Sequence, residues 1–191
     1  MKILLKTLAL LSLLLTSASA YSLQGLNVIT ITTDDPQGYV KWLTDAQPIF
    51  QKAQGDRVMA QGICSPTAGG NEANEHYVWS FAPSQAAMFG GNSMFEDKDV
   101  QRSLKRIASK REVTRRDAYY VAKGDSVGDA GTTNANYNLV SRTNDVSGYV
   151  KALTNMEAAA ARNGFNDISV ALYVSVACLL YTSPSPRDVE E

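Results

Sequence analysis

The sequence predicts an α+β protein built from two tandem copies of one βαββαβ unit, the second cut short. Three observations predict it. Asp35-Pro-Gln-Gly-Tyr-Val-Lys-Trp-Leu-Thr44 returns 110 residues later as Asp145-Val-Ser-Gly-Tyr-Val-Lys-Ala-Leu-Thr154, with seven of ten positions identical. Such a match at a fixed offset marks an internal repeat. Apolar residues then alternate with period two in some segments and recur at helical spacing in others. Finally, Lys123 to Thr133 carries three glycines and reads as a linker between the copies.

The first copy reads in order. Asn27 to Thr33 is β-branched and strand-like. It stops at Asp34-Asp35-Pro36, where Asp35 suits a helix N-cap and Pro36 the first helical position. Tyr39, Leu43, Ala46, Phe50 and Ala53 then form one helical stripe, with Pro48 inside it, and Gly55 ends the helix. Arg57 to Cys64 alternates as a second strand, and Ser65 to Asn74 is a polar loop. Glu75 to Phe81 alternates again, with Tyr77, Trp79 and Phe81 on one face. Pro83 opens a short helix broken at Gly90-Gly91, and Ser93-Met-Phe-Glu96 reads as a capping box that restarts it. Val100, Leu104, Ile107 and Ala108 make the next stripe, and Val113 to Val121 is the fourth strand. In the second copy, Asn136 and Asn138 open the strand equivalent to the first, and Ile168 to Val174 is strand-like.

This order is that of the ferredoxin-like split motif, whose helices cover one sheet face only. The bare face has to be buried, here against the second copy or against a partner chain. The expected organisation is a signal peptide at 1–20, a first α/β unit at 21–122, a linker at 123–134, a truncated second unit at 135–177 and an extraneous tail at 178–191. The signal rests on Lys2 and Lys6, the apolar run from Thr7 to Leu15, and Ser17-Ala18-Ser19-Ala20 as a cleavage site after Ala20. That run is too short to span a bilayer, so a periplasmic or secreted mature chain beginning at Tyr21 is expected, with no membrane association after cleavage. Cys178 to Asp188 resembles the translation of a transposon-based sequencing adapter, and the natural protein is expected to be longer.

Composition limits the chemistry. A formal net charge of −1 gives no bulk attraction to nucleic acid. One histidine, and one cysteine apart from Cys178, offer no metal first shell and no internal disulfide. Gly69-Gly70 and Gly90-Gly91 fit no phosphate-loop pattern.

Taken together, the element order, Tyr77-Val-Trp79, Ser84-Gln-Ala86 and the broken helix containing Phe95 resemble the dimeric α/β-barrel superfamily, in particular its antibiotic-biosynthesis-monooxygenase-like branch. The resemblance implies a barrel made here within one chain as a pseudo-dimer, with further homo-oligomerisation left open. It also implies a small apolar or aromatic ligand between the two sheets and no cofactor. Some relatives oxidise aromatic substrates without metal or flavin, and some degrade haem through a histidine on the second helix, which this chain lacks there. Asn27 matches loosely where such relatives place a polar asparagine near substrate, and Asn136 and Asn138 share that position in the second copy.

The candidate ligand-binding residues are therefore Asn27, Tyr77, Trp79 and Phe81; catalytic residues are unassigned and no metal is expected. Each has a plainer explanation. The aromatics could be ordinary core, Asn27 a strand-edge polar residue, His76 a hydrogen-bonded histidine beside the loop, and Cys64 a buried bystander. Lys98, Arg102, Lys105, Arg106, Lys110, Arg111, Arg115 and Arg116 form a basic run interleaved with Glu96, Asp97, Asp99, Glu112 and Asp117, as on a solvated helix face. Three functions remain open: a ligand-binding protein, a cofactor-independent monooxygenase-like enzyme using Asn27 and Trp79, and an interaction module with no ligand.

Overall fold

In the first copy β-branched and aromatic segments give four strands: β1 (Gly25–Thr32), β2 (Ala60–Cys64), β3 (Glu75–Ala82) and β4 (Glu112–Lys123). A computed structural model describes residues 23–124, apart from 69, 71 and 73, and residues 136–176. The expected signal peptide, most of the linker and the tail from 178 onward lie outside the described residues. A fifth strand, β5 (Leu172–Ser175), follows later in the chain. The five strands form one antiparallel sheet in the order β2-β3-β1-β4-β5. Its first four have the ferredoxin-like arrangement expected from the element order.

Among the described residues four α-helices accompany the sheet: α1 (Pro36–Gln54), α2 (Gln85–Gly90), α3 (Lys98–Ile107) and α4 (Val146–Arg162). Asp35 caps α1 by accepting from the Gly38 amide at 2.9 Å, with Pro36 at the first helical position. Gly55 ends α1 with φ at +56°, a conformation that a side chain disfavours. α1 buries Tyr39, Ala46 and Phe50 as expected, and Leu43 and Ala53 pack beside them. Val100 and Ile107 of α3 complete the helical layer, and Ile31 of β1 sits under it, fully buried with Tyr39 and Ile107.

Two local expectations are corrected here. Residues 91–96 form a 3₁₀ turn, and the cap of α3 is Asp97, whose carboxylate accepts from the Asp99 and Val100 amides at 2.8 and 3.0 Å. Ser93 instead donates back to the Gly90 carbonyl, so Ser93 to Glu96 is no capping box. The two backbone bonds hold the Asp97 carboxyl below its ordinary range. Ala108, placed in the α3 stripe, is exposed, and Ser103 takes a buried position instead.

Asp145 caps α4 as Asp35 caps α1: it accepts from the Gly148 amide at 2.8 Å, and its own amide donates to Thr143 as that of Asp35 does to Thr33. The strand expected to open at Asn136 and Asn138 is not formed. Residues 136–143 lack regular structure, and Tyr137, Leu139 and Val140 are exposed. Among the described residues no second sheet faces the first: the sheet is open, and β5 joins it at the edge of β4. Lys123 secures that junction, pairing with Glu157 of α4 at 2.9 Å and donating to the Val170 carbonyl at 2.6 Å.

Candidate functional site

Cross-strand register decides which side chains share a face, because residues directly opposite point the same way and neighbours alternate. Ile29, Ile31, Ile63 and Val78 all pack into the helix-side core. A side chain at Gly25 would strike Met88 of α2, which puts that parity on the helix side as well. The opposite face therefore carries Glu75, Tyr77, Trp79 and Phe81 of β3, and Leu26, Val28 and Thr30 of β1. It also carries Arg115, Asp117, Tyr119 and Val121 of β4 and Tyr173 of β5. Tyr77, Trp79 and Phe81 thus lie together on the sheet face opposite α1, α2 and α3.

Asn27 does not join them. It pairs with Ser80 and shares the helix-side parity of Ile29, so Asn27 and Trp79 cannot act on one ligand from one face. Asn136 and Asn138 lie in the irregular exposed segment. His76 also faces the helices; it is buried, with Nδ1 2.9 Å from the Ser65 hydroxyl and Nε2 without a hydrogen-bond partner. Cys64 is a half-buried free thiol opposite Tyr77.

The aromatic surface is built by close contacts. The Trp79 indole lies against Gly62 of β2, so near that a Cβ added there would be 2.4 Å from its Cζ2. Glycine is needed here to let the ring lie down on the neighbouring strand. Trp79 meets Phe81 edge-on at 5.6 Å between centroids, and Phe81 meets Tyr173 at 5.8 Å. Flat strands ~4.8 Å apart would separate β3 from β5 by roughly 14 Å. Both rings therefore lean across β1 and β4, helped by the twist of the sheet. Leu26, opposite Phe81 on β1, is left only 6% exposed.

Next to the aromatics stands a polar group that sequence reasoning missed. Arg115 Nε donates to Asp117 Oδ2 at 2.6 Å, and the Tyr77 hydroxyl donates to Glu75 Oε2 at 2.8 Å. In the rung Tyr77–Thr30–Arg115, Thr30 is fully buried and its hydroxyl has no partner among the described residues. Burial, reinforced by Glu75, pushes the Tyr77 hydroxyl up from its ordinary value. Burial and the Asp117 charge do the same for Tyr119, so both phenols stay protonated. Asp117 holds Arg115 more firmly charged.

The expected basic run is in fact divided among three surfaces. Arg102 pairs with Asp99 on α3, Arg111 stacks over Tyr39 and Trp42, and Arg116 lies over Phe95 on the helix side. Arg115 alone of these four faces the aromatic surface. Alternation along β4 is the signal that could have found it: Arg115, Asp117 and Tyr119 share one parity and Arg116 has the other. A separate surface hollow of about 260 Å³ lies between α1 and the start of α3, lined by Pro48, Ile49, Lys52, Asp97 and Asp99. It lies among the helices, away from the aromatics, and its two acids are engaged in capping α3 and in the pair with Arg102.

No protein-family model and no curated protein sequence matches the chain. Solved structures resemble it distantly. HapK from Hahella chejuensis aligns with a TM-score of 0.40 at 11% identity, covering 58% of this chain and 99% of its own. A conserved protein of unknown function from Bacteroides thetaiotaomicron, described as a possible oxidoreductase, gives 0.36 at 10% identity over 53% and 99%. MupZ from Pseudomonas fluorescens gives 0.34 at 4% identity over 50% and 69%. Likenesses this distant extend to neither activity nor ligand.

Proposed function

We propose that this is an exported protein that binds a small apolar or aromatic molecule on the open sheet face, as the first wall of an α/β barrel. The observation that carries the reading is the run of ring contacts from Trp79 through Phe81 to Tyr173, spanning the sheet from β3 to β5 on the face opposite α1, α2 and α3. All three rings are half-buried rather than covered, and flat rings gathered in this way stack on planar ligands. The matched caps at Asp35 and Asp145 and the addition of β5 to the edge of β4 support two copies sharing one barrel. Export rests on the leader read from residues 1–20.

The test is calorimetric. The full chain is titrated with 2-naphthalenemethanol, a neutral bicyclic aromatic, alongside Trp79→Ala with its fold checked by circular dichroism. Saturable binding that Trp79→Ala removes is expected. Absence of binding, or equal binding by the variant, rejects this face as the site. Export is checked by N-terminal sequencing of the protein recovered outside the cytoplasm, which should begin at Tyr21.

A further inference from the structure

We propose that the ligand of the open face is acidic: a planar aromatic carboxylate, its ring against Trp79 and Phe81 and its carboxylate held by Arg115. The inference rests on the reading of this face as a ligand site and adds the ligand's charge and its point of attachment.

Register fixes the geometry. Trp79, Val28 and Asp117 occupy one rung; Tyr77, Thr30 and Arg115 occupy the next. Arg115 thus stands two strands and one rung from Trp79, roughly 12 Å between backbones by ordinary sheet spacings. Once the reach of both side chains is subtracted, a two- or three-ring acid bridges that distance over Val28. The far end of the surface is closed by the contact of Phe81 with Tyr173, which orients such a molecule with its polar end toward Arg115.

Three groups in this cluster carry charge, and exposure separates them. Glu75 is 6% exposed and accepts from Tyr77. The Asp117 side chain is 24% exposed and the Arg115 side chain 50%. Both acids are committed within the protein, so the charge that meets an incoming ligand is the cation. Asp117 takes the Nε of Arg115, which leaves the Nη1–Nη2 edge of the guanidinium turned away from it. That edge has the spacing of a carboxylate and binds it through two parallel hydrogen bonds. Asp117 is accordingly a positioning residue that aims the fork.

The experiment compares three probes of one shape on the full chain by calorimetry: 2-naphthoate, 2-naphthalenemethanol and 2-naphthylmethylammonium. The naphthoate is expected to bind at least about tenfold more tightly than the alcohol, the scale of hydrogen bonds to a charged group. Arg115→Gln should bring that ratio to about one with the alcohol unaffected, and Arg115→Lys should retain part of it. Asp117→Asn, which removes the competing negative charge and keeps an acceptor for Nε, should tighten naphthoate further. Equal binding of naphthoate and alcohol by the unaltered protein overturns the proposal and leaves the aromatic site standing. Preference for the ammonium overturns it in favour of control by Asp117 and Glu75. Failure of all three probes removes the aromatic site itself.

Discussion

Gly62→Ala tests the construction of the aromatic face most directly. The added methyl would lie 2.4 Å from Cζ2 and 2.7 Å from Cε2 of Trp79. Carbon atoms at ease sit ~3.5–4.0 Å apart, so the indole must retreat by about 1 Å or more and loosen its edge contact with Phe81. Overpacking of this kind costs about 1–3 kcal/mol. Against it stands the advantage of alanine over glycine in a strand, about 0.5–1 kcal/mol. The expected net loss is about 1–2 kcal/mol, seen as a fall in Tm of about 2–8 °C for a chain of this size. In a Trp79→Ala background the ring is gone, and the same change should stabilise by about 0.5–1 kcal/mol. That reversal of sign, read from four thermal melts as a double-mutant cycle, identifies the contact. Equal effects in both backgrounds would show that the indole does not rest on Gly62.

Three further predictions follow from other parts of the molecule. Thr30→Val replaces a buried hydroxyl that has no partner with a methyl group of like size, so denaturant melts should show stability unchanged or raised by about 1 kcal/mol; a clear loss would reveal a hidden partner. Asp35→Ala should lower global stability by about 1 kcal/mol, because α1 carries core residues. Asp145→Ala should act locally, since α4 buries none: faster amide exchange over residues 146–150 with the main melt unmoved. The Lys123 ammonium and the Val170 amide hold the Glu157 carboxyl below its ordinary 4.5. A depressed carboxyl contributes stability that is present above the unfolded value and is lost as pH falls through the folded one. Docking of α4 should therefore weaken below about pH 4.5, and Glu157→Gln should remove that acid dependence in pH-resolved exchange.

The sheet and its first helix were legible because their patterns are strong and consistent: β-branched or aromatic alternation in β1 and β3, and a stripe with a cap and a glycine stop in α1. The parity of β3 predicted that Tyr77, Trp79 and Phe81 share a face, but periodicity could not say which face the helices cover. That needed the packing of Val78 and Ile31 against Tyr39 and Ile107. For the same reason, the loose match that picks out Asn27 says nothing about sidedness until its register with Ser80 is known. Arg115 and Asp117 were obscured by their neighbours. A run of charges extending from Lys98 to Asp117 reads as one solvated surface, whereas the chain turns from helix to strand within it and distributes those charges to opposite sides.

The segments around Asp35 and Asp145 differ in an instructive way. Over the helices the local sequence is enough. The threonine, the aspartate two residues later and the glycine three beyond that form the same hydrogen bonds around Asp35 and Asp145, because every partner lies within a few residues. A strand has no such self-sufficiency, since its hydrogen bonds go to other strands. β1 is held because β3 and β4 flank it on both sides. Residues 136–143 have no neighbours of that kind among the described residues, and they remain irregular with Tyr137, Leu139 and Val140 exposed. β5 forms because the edge of β4 is there to receive it. The same Thr-x-Asp-x-x-Gly pattern therefore caps a helix at both places, but an ordered strand precedes that helix at only one. What β5 brings to that edge is Tyr173, the residue that extends the aromatic surface beyond the first copy.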